Sequence, residues 1–218
     1  MNIRESFDIS IQENQQLIVK MMKCIQEIYV AMFDVIKSND LDGAERLIND
    51  DILVNEMEET INEQAYLVVL KQCPVASDLR KLVTSIKVAN ELERVADYAA
   101  NIGVYIQKTT QNNESYRKLM LNYRQPLLDM FTVLIEAYNE SDVKKAFKVC
   151  ALDNDIDIIY EQQIKQFIAI TREKTQIVAE EASRALLVIK QFERAGDHLT
   201  NIAEHIIFLR TGKHVTLN

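Results

Sequence analysis

Glu93, Asp97 and Asn101 stand four residues apart in the stretch ELERVADYAANI. Glu193, Asp197 and Asn201 repeat the row in QFERAGDHLTNI, with Arg94 copied as Arg194. At 3.6 residues per turn such a row runs along one side of a helix. Carboxylate and amide oxygens are hard donors that suit Mg, Ca, Mn or iron, and i,i+4 spacing can bring two of them onto one ion or onto adjacent ions. A related row lies upstream in each half, as Asp51, Asn55, Glu59 and as Asp153, Asp157, Glu161. Where two such rows face each other, like charges repel and something positive must compensate them. Arg94 and Arg194 can supply part of it, although on an ideal helix they point about 60° beyond Asp97 and Asp197. A divalent cation would do it better. Without a cation, the same rows are solvated helix faces, or strips that dock basic helices of a partner.

The rows need helices to carry them, and the composition favours helices. The 218 residues include 48% hydrophobic side chains but only 4 Gly and 2 Pro, too little punctuation for the many turns of a sandwich or a doubly wound sheet. The formal net charge of −8 comes without any Lys/Arg block, which argues against a nucleic-acid partner. Cys24, Cys73 and Cys150 are odd in number and form no CxxC pair, so a disulfide framework and a thiolate metal site are both disfavoured and buried packing is expected. The start MNIRESFDIS lacks the apolar core of a signal peptide, and no apolar run approaches the roughly 18 residues that span a bilayer. A cytoplasmic location is expected.

Apolar residues recur at threes and fours along nearly the whole chain. The set Phe7, Ile11, Ile18, Met21, Ile25, Ile28, Met32 and Ile36 predicts a first helix ending near Ser38, and Asn39 or Asp40 can cap a second that runs to about Gln72. Pro74 suits the first turn of a third, which continues to about Lys108. After the polar stretch 109–115, a fourth helix carries Pro126 at its start or at a kink, Ser141 caps a fifth over about 142–172, and a sixth ends at Gly212. The expected fold is all-α, two tandem three-helix bundles of six long helices related by internal duplication: 1–108, a linker at 109–115, and 116–218. On the third helix Val88, Leu92, Val95, Ala99, Ile102 and Ile106 form the core stripe, and the acid row falls on the far side. Leu79, Leu82, Val83 and Ile86 precede it on that same side, so the row sits at an edge of packing. Ala89, Ala96, Ala100 and Gly103 lie between the stripes and would let another helix come close.

ELERVADYAANI and QFERAGDHLTNIAEHIIFL, preceded by CPVASDLRKL in the first half and ALDNDIDIIYE in the second, resemble the PhoU family of phosphate-signalling proteins. The resemblance rests on the duplicated E-R-x-G-D-x-x-x-N-I-A pattern and runs from about Phe7 to Gly212. It implies no catalytic turnover, dimerisation, and negative regulation of phosphate uptake and the phosphate-starvation response. The implied partners are the ATPase subunit of the phosphate ABC transporter and a phosphate-sensing histidine kinase, so a membrane is reached only through partners. It also implies metal ions on E/D-x-x-x-D pairs: iron, zinc, manganese or magnesium. Carried over by position, the second cluster would use Asp153, Asp157, Glu193 and Asp197 with Asn201 nearby, and the first Asp51, Glu93 and Asp97 with Asn101. Two positions depart. Asn55 stands opposite Asp157 and removes one charge, which would weaken metal binding at the first cluster, and Ala96 stands where the second half has Gly196.

Two other readings compete. One is a metal-free helical adaptor with the same acid rows. The other is a carboxylate-bridged di-metal oxidase or metal store, which needs Glu-x-x-His pairs. None of His198, His205 and His214 follows a Glu by three residues, and surface exposure is expected for His198. No Ser/His/Asp, Cys/His or Gly-rich phosphate loop is visible.

Overall fold

The apolar stripe from Phe7 to Ile36 is buried along one side of α1 (Ile3–Ser38). The computed structural model of the protein describes residues 3–72, 74–109, 114–173 and 176–216. Among them α1 is followed by α2 (Leu41–Gln72), α3 (Ala76–Lys108), α4 (Glu114–Leu121), α5 (Arg124–Glu140), α6 (Val143–Glu173) and α7 (Gln176–Thr211). α1, α2 and α3 pack as one three-helix bundle. α4 and α5 together take the place of one long helix and pack with α6 and α7 as the second.

Corresponding corners in the two bundles are built alike. Asn39, at φ 56°, takes the left-handed conformation that ends α1, and the Asp40 carbonyl accepts the Ala44 N–H at 3.0 Å to begin α2. Ser141, at φ 50°, ends α5 in the same way, and Asp142 Oδ1 accepts the Lys144 N–H at 2.8 Å to cap α6. Ser141 therefore closes the helix before the corner and does not cap the next one. A capping residue needs an extended backbone, and a left-handed residue cannot also provide it.

The fourth helix expected from the sequence is divided at Asn122 and Tyr123. Pro126 falls in the first turn of α5, where the N–H that proline lacks would have no intrahelical partner. Pro74, by contrast, precedes α3: Val75 is its extended N-cap and Ala76 its first residue. Gly212, at φ 70°, ends α7, with its N–H donating to the Phe208 carbonyl at 2.8 Å.

One buried core runs through both bundles. Phe192 of α7 stacks between Phe33 of α1, centroids 5.6 Å apart, and Tyr123 between α4 and α5, 4.8 Å apart, and all three rings are fully buried. The α3 stripe Val88, Leu92, Val95, Ala99, Ile102 and Ile106 is buried in the same core. Cys24 and Cys150 are free thiols partly buried against it, while Cys73 lies outside the described residues. The small residues act as expected at Gly103, where a Cβ would stand 2.7 Å from the Ala44 carbonyl oxygen of α2. No helix among the described residues is long and apolar enough to cross a membrane.

The duplication is also spatial. Tyr29 meets Phe131, its counterpart in the second half, with ring centroids 5.0 Å apart. The Tyr98 hydroxyl meets Nε2 of its own counterpart His198, 100 residues on, at 3.0 Å. Two pairs of equivalent residues that touch each other lie on the axis of a pseudo-two-fold, so the chain packs its halves as an isologous dimer packs two subunits.

Candidate functional site

Two carboxylate clusters form where α2 meets α3 and where α6 meets α7. The second is the more buried. Asp153 is 5% exposed, and burial together with the charges of Asp157, Asp197 and Glu193 pushes its carboxyl up to about 7, against a hydrogen bond from Thr200 Oγ1 to Oδ2 at 3.2 Å. Asp153 Oδ1 is buried with no hydrogen-bond partner. Burial and Glu193 also raise Asp157 and Asp197, and Lys190 opposes both shifts. The Lys190 ammonium pairs with Glu193 and lies 5.1 Å from the centre of the Tyr160 ring. The structure therefore brings Asp153, Asp157, Glu193 and Asp197 within electrostatic reach of one another around a single lysine.

The first cluster is its shallower counterpart. Burial and then Asp97 raise the half-buried Asp51, whose Oδ2 accepts from Asn55 Nδ2 at 3.2 Å and whose Oδ1 is buried without a partner. Burial and Asp97 also raise Glu93. Arg94 supplies the cation, with Nε 3.3 Å from Glu93 Oε2 and Nη1 3.2 Å from Asp97 Oδ2. The arginine row is thus used in the first half only; in the second half Lys190 does this work while Arg194 is exposed.

Three differences between the halves set the depth. A Cβ on Gly196 would collide with Asp153 Oδ1, so only glycine leaves room for that carboxylate; Ala96 has the methyl. Thr200 offers a hydroxyl where Ala100 has none, and Lys190 offers a charge where Asn90 has an amide. The sequence marks Gly196 only as a departure from Ala96 of the first half, and Thr200 and Lys190 were missed. The signal for Lys190 was its spacing of three from Glu193 and seven from Asp197, on the same helix face.

Asn101 and Asn201 do not join the clusters. Asn101 is exposed on the groove between α3 and α7, and Asn201 Nδ2 donates to Glu91 Oε2 of the other half at 3.1 Å. His198 is not a surface residue either. Its Nδ1 meets Glu91 Oε2 at 2.6 Å and its Nε2 meets the Tyr98 hydroxyl at 3.0 Å. A neutral ring protonated on Nδ1 satisfies both partners. Burial alone would raise the Glu91 carboxyl, but the hydrogen bonds from His198 and Asn201 outweigh it and hold it below its ordinary range. A carboxyl depressed in the folded state adds stability above its unfolded pKa, and that stability is lost as pH falls through the folded value. Glu91→Gln should therefore lower the unfolding free energy by about 1–3 kcal/mol at pH 7 and by progressively less in acid, as read by urea unfolding.

The donor chemistry of both clusters suits a hard cation. Among the described residues no three carboxylate, imidazole or thiol groups come together in a way that would hold an ion. The carboxylates spread along the two helices, and Lys190 or Arg94 occupies the electropositive place among them.

The fold and the site together define a duplicated all-α bundle with one carboxylate cluster in each half. The PhoU domain pattern matches it twice, over residues 18–106 and 124–206, and the chain belongs to the PhoU family. It is 29% identical over 217 residues to the phosphate-specific transport system accessory protein PhoU homolog of Clostridium acetobutylicum, covering 99% of each chain. Over 179 residues it is 30% identical to PhoU homolog 1 of Thermotoga maritima, covering 79% of this chain and 75% of that one. The crystal structure of the phosphate transport system regulatory protein PhoU from Streptococcus pneumoniae superimposes with a TM-score of 0.88 at 25% identity, covering 96% of this chain and 99% of that one. PhoU from Pseudomonas aeruginosa, at 22% identity over 95% of this chain and all of that one, shares the fold with the same TM-score.

Proposed function

We propose that this protein is a cytoplasmic negative regulator of phosphate uptake and phosphate-starvation signalling. It works by docking to the ATPase subunit of a phosphate ABC transporter and to a phosphate-sensing histidine kinase. Family membership across both repeats carries the reading. The geometry favours a docking mechanism without metal: each acid cluster keeps one cation against several carboxylates, which leaves a negative surface for basic helices of a partner. Disrupting the gene should raise phosphate uptake and switch on phosphate-starvation transcripts in phosphate-replete medium. Unchanged transcripts would place the protein outside this pathway.

A second reading keeps the same role and adds metal ions. It is favoured by a buried aspartate oxygen without a hydrogen-bond partner in each cluster, Asp153 Oδ1 in the second and Asp51 Oδ1 in the first. Binding would require Lys190 and Arg94 to swing aside, and Asp153, Asp157, Glu193 and Asp197 would hold ions more firmly than Asp51, Glu93 and Asp97. Elemental analysis of untagged protein, with melting curves in added Mg, Mn, Zn or iron, separates the two. A bound ion at about 100-fold excess over its Kd adds about 2.7 kcal/mol to the folded state, whereas no metal and no shift leave the metal-free docking protein. In the same preparation, size-exclusion chromatography with light scattering tests the expected homodimer.

A further inference from the structure

The pseudo-two-fold through Tyr98 and His198 relates two surfaces between α3 and α7, one on either side of that contact. On one side the chain covers this surface itself. His214 stacks on Phe208 with ring centroids 4.0 Å apart and 13° between planes, the Arg80 guanidinium lies 5.6 Å from the centre of the same ring, and Val215 packs against the core. On the other side the counterparts of His205 and Phe208, which are Tyr105 and Lys108, line an open groove of about 550 Å³ together with Asn101, Arg184, Leu187 and Gln191.

The open groove also has unused polar groups where its mate has a bond. Glu91 accepts from Asn201, but their counterparts Gln191 and Asn101 are not joined. Gln191 Nε2 turns to the Leu187 carbonyl at 3.4 Å, its buried Oε1 has no partner, and Asn101 is exposed. Lys108 and Arg184 are exposed and have no ion-pair partner among the described residues; Glu181, on the same side of α7, pairs with neither. Between them Leu187 is 66% exposed.

We propose that this groove seats an extended segment of a partner protein that carries an aliphatic side chain flanked by acidic ones. The exposed Asn101 carboxamide offers an N–H and a C=O together, the pair that an extended peptide backbone needs. Leu187 and Val188 receive the aliphatic side chain. Lys108 and Arg184, with no acid of their own, select acidic neighbours. The other side of the pseudo-two-fold sets the precedent for the occupant: there Phe208, the counterpart of Lys108, is covered by His214 from a non-helical stretch of polypeptide. A small anion would meet the two cations but leave the apolar part of the groove empty. The proposal rests on the docking role above and specifies a surface for it, separate from the acid clusters.

The test uses the full-length protein and fluorescein-labelled nonapeptides with a central Leu or Ile between Asp and Glu, read by fluorescence anisotropy against the same peptides carrying Lys. The acidic peptides should bind and the Lys peptides should not. Lys108→Glu with Arg184→Glu, and separately Leu187→Asp, should each weaken binding at least about tenfold while the melting temperature holds, since all three side chains are exposed. Equal binding of acidic and basic peptides, or folded variants that bind like wild type, would overturn the proposal. So would full displacement of the peptide by millimolar inorganic phosphate, which would mark a small-anion site. In cells the double charge-reversal variant should lose regulation. If gene disruption alters phosphate-responsive transcription but the folded double variant regulates normally, the groove is not the docking surface and the family-level role stands.

Discussion

Asp153→Asn should stabilise the metal-free protein by about 2–4 kcal/mol at pH 8 and have almost no effect below pH 4. In the folded state the Asp153 carboxyl is pushed from its ordinary 3.8 up to about 7. A carboxyl raised in this way binds more protons folded than unfolded between those two values. Stability therefore falls as pH rises from about 4 to about 7 and is level above that. The full separation of the two values is worth about 4 kcal/mol, and sharing of protons with Asp157 and Asp197 reduces it. Asparagine removes the charge and can still accept from the Thr200 hydroxyl. Urea unfolding of both proteins from pH 4 to 8 checks the prediction, and a difference that stays flat across that range would show that Asp153 is not buried as a carboxylate. Gly196→Ala provides the structural control. Its methyl takes the space of Asp153 Oδ1, so the carboxylate must turn toward water and the benefit of Asp153→Asn should shrink when Gly196→Ala is also present. A reversal of sign in excess Mn or Zn would favour the metal-loaded reading.

Phe192→Ala should cost about 3–5 kcal/mol, the range for emptying a fully buried phenyl site. The ring is stacked on Phe33 of the first bundle and on Tyr123 of the second, so the cavity would open where the two share their core and neither neighbour could collapse into it alone. The next residue, Glu193, is a member of the second acid cluster, and a loosened α7 should also weaken its pairing with Lys190. Chemical denaturation followed by circular dichroism measures the loss. Phe192→Leu, which places in the second half the residue found at position 92 in the first, should recover more than half of it. A loss below about 1 kcal/mol for the alanine variant would mean that the two bundles do not depend on a common core.

Much of the fold was legible in the sequence because helical signals are local. The stripes of α1 and α3 recur at threes and fours, and the corners near Ser38 and Glu140 carry short polar residues that can take a left-handed turn. The break between α4 and α5 was only half legible: Pro126 announced a change of direction but not its place. Assigning the cap to Ser141 instead of Asp142 was an error of one residue, because either side chain can cap and only the backbone angle decides.

At the candidate site the residues were legible and their surroundings were not. Asp153, Asp157, Glu193 and Asp197 stand out by spacing, as do Asp51, Glu93 and Asp97. Spacing cannot say that Arg94 sits among one set while Lys190 replaces Arg194 in the other. It also cannot say that Asn201 and His198 reach across to Glu91.

The sequence by itself determined the helical segments to within a corner or two, the duplication, the family and the identity of the acidic side chains, because each of these is written in residue types and short spacings. The tertiary structure alone decided that the two bundles share a core, that equivalent residues meet on a pseudo-two-fold, and that one carboxylate is buried while its counterpart is only half-buried. Those outcomes depend on which side chains approach across α3, α6 and α7. A single methyl at position 96 or its absence at 196 changes that approach without changing the helical pattern.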